Sequence, residues 1–121
     1  MRSLLFVLVF AACGPRESAA QYAERQTAEL RQETPPGKTN RADVVARFGH
    51  EPEIALTRPS TGWESKLVLD AEQRSGALIA RADKYSRPSG TSAGFLTLEH
   101  VWYFYDRADV LVDVRWQRMG D

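Results

Sequence analysis

Apolar residues change their spacing along this chain, and each spacing predicts a different element. At the start, Leu4 to Phe10 is an unbroken apolar run behind the single charge of Arg2, and Ala11, Ala12 and Cys13 follow it. Residues 17–33 are rich in Ala, Gln, Glu and Arg, good helix formers, but hold only Tyr22 and Leu30 as large apolar residues. Such a helix has little to bury and is marginal alone in water, so it either docks on something or frays. Thr34-Pro35-Pro36-Gly37 ends it and marks a boundary. Residues 39–49 then give the clearest helix. Val44, Val45 and Phe48 form one stripe, Thr39 or Asn40 caps the start, and Asp43 sits in the first turn. Gly49 supplies a left-handed end and Pro52 blocks continuation. A helix this short is made to pack against a sheet.

The middle of the chain is harder to read. Ile54-Ala55-Leu56 fits a short strand, and residues 58–62 fit a loop. Residues 66–70 and 77–81 fit two strands joined by a turn at 73–76, a reading favoured by their Val/Ile content and by Gly76. The same stretch also fits a helix with Leu67, Ala71, Leu78 and Ala82 near one face. Residues 86–94 read as a loop by composition. The end of the chain carries the strongest strand signal. Val110, Val112, Val114 and Trp116 alternate with Leu111, Asp113 and Arg115, and His100 to Tyr105 is an aromatic strand before them, with the turn at 106–109. Pairing Tyr105 with Val110 sets Tyr103 against Val112 and Val101 against Val114 on one side. Trp102, Phe104 and Leu111 then fall on the other side, beside Asp113 and Arg115. Both faces are therefore apolar. Either the sheet is covered on both sides, or Trp102, Phe104 and Leu111 form an exposed patch that binds a partner.

The first thirteen residues bear on location. A charged start, a short apolar stretch and small residues before a cut site describe a secretory signal. The run is well short of the about 20 apolar residues that cross a bilayer. Cys13, the sole cysteine, has no partner for an intramolecular disulfide and no local His to activate it as a nucleophile. The pattern resembles a bacterial lipoprotein signal, in which residues 1–12 are removed and Cys13 is acylated as the mature N-terminus. By the same resemblance, Gly14 rather than Asp after the cysteine implies sorting to the outer membrane, on its periplasmic side. Acylation at that level clears the threshold for stable anchoring.

Composition removes some classes of function. The chain carries 16 basic and 16 acidic side chains and loses only Arg2 with residues 1–12, so the remainder is slightly acidic with scattered charge. That is no nucleic-acid footprint. Catalytic candidates are thin. Gly90-Thr91-Ser92-Ala93-Gly94 matches the G-x-S-x-G pattern, but the nucleophile elbow needs a strand before it and a helix after it. Here a polar loop precedes and a strand-like Phe95-Leu96-Thr97-Leu98 follows. His50 and His100 are the only histidines; His50-Glu51-Pro52-Glu53 lacks a second His at helical spacing, and one cysteine leaves too few metal ligands. No metal, cofactor, catalytic residue or small-molecule substrate is expected.

The order of pieces is similar to the SmpA/OmlA (BamE-like) family of small outer-membrane lipoproteins. Cys13, then Gly37-Lys38-Thr39, Val44, Phe48-Gly49 and Pro52, then Trp102-Tyr103-Phe104-Tyr105 and the strand from Val110 to Trp116, follow the family's order. The resemblance implies a division into a signal at 1–12, a lipidated tether at 13–36 and one small domain at 37–121. It implies an α+β fold of two layers, short N-terminal helices on an antiparallel sheet of about three strands. It also implies a non-catalytic accessory in outer-membrane protein assembly or envelope integrity, with the β-barrel assembly machinery as the expected partner. The alternatives are an inhibitor-like module for a periplasmic enzyme, or a small envelope hydrolase using Ser92 or His50.

Overall fold

The computed structural model describes residues 17–58, 66–92 and 95–118. Cys13 and the apolar run before it lie outside the described residues, as does most of the loop expected at 58–62. The first helix, α1 (Ala19–Glu33), opens on a capping box: the Ser18 hydroxyl accepts from the Gln21 amide while the Gln21 side chain accepts from the Ser18 amide. It does not fray. Thr27 and Leu30 are buried, with Tyr22 and Ala23 packed on the same cluster, and the Thr27 hydroxyl accepts the Trp116 backbone N–H at 3.1 Å. Residues 17–34, read from the sequence as tether, are thus packed on the domain. The two large apolar residues that cannot stabilise a lone helix suffice when a strand edge supplies the partner.

Helix α2 (Arg41–Phe48) matches its expectation in detail. Asn40 is the cap, Asn40 and Asp43 form a reciprocal box, and Gly49 ends the helix at φ 79°. Val44 is fully buried. Strand β1 (Ile54–Thr57) follows as expected. The two strands favoured for 66–70 and 77–81 are not formed. Lys66–Ser75 is a helix, α3, which buries Val68 and Ala71 and stops at Gly76, φ 70°. Gly76 is therefore a helix stop rather than a hairpin turn, and the i, i+3 spacing of Val68 and Ala71 outweighs the Val content.

Strand β2 (Arg81–Ser92) runs through the region expected as a loop and pairs with β3 (Phe95–Tyr105) along its whole length, with a register shift between Pro88 and Gly90. Its polar composition reflects an edge: beyond Lys84, β1 no longer covers it. Lys84 turns its carbonyl outward to Glu53, so by the two-residue alternation Pro88 also faces outward and offers no N–H to a foreign strand. β4 (Leu111–Arg118) completes an antiparallel sheet of order β1-β2-β3-β4, one strand more than expected in an α+β fold of the expected kind.

The β3–β4 register differs from the sequence reading. Tyr105 pairs with Leu111, and Tyr103 with Val114, so that Val112 is an extra residue in β4. Two local features cause this. The Asp106 carboxylate accepts the amides of Ala108 and Val110 and Asp109 takes φ 61°, which makes Val110 the end of the turn. The bulge at Val112 then moves the rest of the strand by one more residue. Leu111 thereby joins Tyr85, Val101, Tyr103, Tyr105, Val114 and Trp116 under α1 and α2, while Val112 joins Phe104, Ala82 and Ile79 on the face covered by α3.

Candidate binding surfaces

Of the three residues expected to bind a partner, the fold leaves only one available. Phe104 and Leu111 are both 0% exposed, on opposite faces of the sheet. A partner could reach neither without opening the core, so both belong to packing. Trp102 is half-buried; its ring stacks at 6.3 Å on Phe104, and its Nε1–H donates to the Gln117 side chain at 3.0 Å. The sheet is thus covered on both sides, but unequally. Among the described elements α3 alone lies over the Phe104 face, and it is short.

Around Trp102 the strands place Lys84, Ser86 and His100 from β2 and β3, and Arg115 and Gln117 from β4, on this same face. All are half-exposed. Burial holds the His100 imidazole below its ordinary pKa, and the Lys84 ammonium pushes the same way, so the ring is neutral at neutral pH. Leu69 of α3 and Leu78 after it are 50% and 54% exposed. At the β4 margin a cleft of about 490 Å³ is lined by Ala23, Lys66, Leu67, Asp70, Arg115, Trp116, Gln117 and Arg118. The face combines one half-open indole with the cations Lys84 and Arg115.

Sequence inspection misses the buried carboxylates that brace this arrangement. Asp113 accepts from Arg31 of α1 and Arg74 of α3, tying the two layers to β4. Asp83, fully buried, takes Arg41 and Arg81. Glu99 accepts from Arg87 and from the Trp116 indole. Only Arg81 and Asp83 lie near each other in sequence; a buried-face Asp or Glu on a strand is the one available signal. The Tyr105 hydroxyl is buried with no partner among the described residues.

The catalytic candidates are not brought together. Gly90, Thr91 and Ser92 lie on β2 and Ser92 pairs with Phe95, which opens β3, so a strand stands after the serine where an elbow requires a helix. His50 is exposed; its Nδ1 sits 2.8 Å from the Glu51 carbonyl, and its own carbonyl accepts from the Tyr85 hydroxyl. Among the described residues no group of three or more His, Cys, Asp or Glu could hold a metal, and no helix is long and apolar enough to cross a membrane. No family model matches the chain, and no curated protein or solved structure matches it either.

Proposed function

We propose that the protein is a non-catalytic lipoprotein of the bacterial envelope, anchored through Cys13 at the outer membrane and facing the periplasm, which works by holding a protein partner. The observation that carries the binding role is the half-open face around Trp102, a large aromatic left partly exposed among Lys84, His100 and Arg115. Interface energy concentrates in such aromatic anchors. Lysines and arginines around it favour an acidic partner surface. The accessory role in outer-membrane β-barrel assembly or envelope integrity rests on the resemblance described above, with an inhibitor-like module as the alternative.

Two variants test the reading. Cys13→Ser should move the protein from the membrane to the soluble fraction; a variant that stays with the membrane sinks the anchor. Trp102→Ser should weaken partner capture from solubilised envelopes more than it lowers the denaturant midpoint. Equal loss of both would make Trp102 core and nothing more. The identity of the captured protein separates the two roles: the β-barrel assembly machinery for the first, a single periplasmic enzyme for the second.

A further inference from the structure

Helices α1 and α2 cover the tyrosine-bearing face and leave an opening between their C-terminal ends. There Glu33, Arg47, Phe48, Arg87 and Tyr103 line a cleft of about 330 Å³. Tyr103 forms its floor. It is 2% exposed, with its ring against the edges of Phe48 at 5.9 Å and Tyr85 at 6.0 Å. Tyr103 lines the cleft together with Arg87, Arg47 and Glu33. A phenol at the floor of a cleft can donate its O–H to a bound acceptor.

The walls have donors to spare. Among the described residues Arg47 spends one N–H, on Glu33 at 3.3 Å, and Arg87 spends its Nε–H on Glu99. A guanidinium has five such donors in a fork that matches a carboxylate. Glu33 and Arg47 are each 51% exposed, and a pair so placed is weak and easily displaced. Once a ligand displaces Glu33 from so weak a pair, the two arginines exceed Glu99 by one charge, which suits a single carboxylate better than a phosphate dianion. The Phe48 ring, stacked on Tyr85 at 3.8 Å, gives the cleft an apolar wall.

We propose that this cleft binds a carboxylate, held by the Tyr103 hydroxyl and the spare N–H groups of Arg47 and Arg87, with an aromatic or aliphatic group of the same ligand against Phe48. The free carboxylate at the end of a polypeptide and a small organic acid share this chemistry. The site does not depend on the proposed function and stands if that reading fails.

The test is a titration of the isotope-labelled intact chain, followed by the amide resonances of Phe48, Arg87 and Tyr103. The probes are phenylacetate, its neutral counterpart phenylacetamide, and a tripeptide Gly-Gly-Phe with a free or amidated C-terminus. Phenylacetate should give saturable shifts and phenylacetamide none. Tyr103→Phe should weaken phenylacetate at least about tenfold, as expected for a hydrogen bond to a charged group. Glu33→Gln, at an exposed position, should tighten it about threefold by removing the competing carboxylate. Tighter binding of the free tripeptide than of phenylacetate assigns the site to a chain terminus; the reverse assigns it to a small acid. Equal shifts from acid and amide, no saturation, or unchanged affinity in both variants would overturn the proposal.

Discussion

At the residue scale, the fold depends on polar groups buried with partners, and among the described residues the Tyr105 hydroxyl is buried without one. The Tyr105 hydroxyl lies among Tyr85, Tyr103 and Asp83 with nothing to bond, at a cost of about 1–3 kcal/mol for an unsatisfied buried group. Tyr105→Phe should therefore raise the unfolding free energy by about 1 kcal/mol, read as a higher denaturant midpoint at unchanged slope. A loss would mean that the hydroxyl has a partner after all. Thr27 is the opposite case. Its hydroxyl accepts the N–H of Trp116 on the outer edge of β4, so Thr27→Val should cost about 1–3 kcal/mol by leaving that N–H unpaired. His100 adds a pH dependence. Its folded pKa lies below the ordinary 6.5, so the unfolded chain takes the proton first and stability is lost as pH falls through 6.5. His100→Gln should flatten the part of the stability profile just below pH 6.5 relative to wild type; identical profiles would contradict the shift.

At the scale of elements, the signals that proved readable are those made by neighbours in the chain. The cap, box and left-handed stop of α2 are all local, and Asn40, Asp43 and Gly49 show them directly. Gly49 sits at φ 79° with nothing within 4 Å of an added Cβ, so Gly49→Ala costs backbone strain alone, about 1 kcal/mol by thermal melt. What was not readable depends on distant partners. α1 looks too polar to fold until the edge of β4 is placed beside it. β2 looks like a loop because Ser86, Arg87 and Pro88 occupy a strand edge that β1 does not reach. The β3–β4 register was misread because the Asp106 turn and the bulge at Val112 together shift the pairing, and alternation alone contains no record of either. That shift is what sends Leu111 into the core. Phe104 fails as a binding residue for a plainer reason: α3, read as strands, covers it.

At the scale of the molecule, the two faces of the sheet have different characters. The tyrosine face is covered by two capped helices. Burial there holds the Tyr103 phenol up at about 12 and that of Tyr105 higher still, with the charge of Asp83 adding to burial at Tyr105. Both folded values exceed the ordinary 10, so the folded state keeps protons that the unfolded chain releases, and stability is lost as pH rises above 10. The other face is covered by α3 alone and leaves Trp102 half-open among Lys84, His100 and Arg115. If that face holds an acidic partner, capture should weaken as salt rises from 50 to 500 mM, because exposed charges are screened within about a Debye length. A binding surface of this kind was legible in the sequence only as a surplus of aromatics on β3; which of them stay open is a property of the assembled layers.

The most direct test of a membrane-anchored partner-binding role is in-cell photocrosslinking with a probe residue placed at Lys84, Ser86 or Arg115 on the Trp102 face, and at Glu29 on the exposed side of α1 as the control. The account predicts one shared envelope partner from the three face positions, none from Glu29, and loss of the product in Cys13→Ser. Crosslinks of equal strength from Glu29, or the same product undiminished in Cys13→Ser, would contradict it.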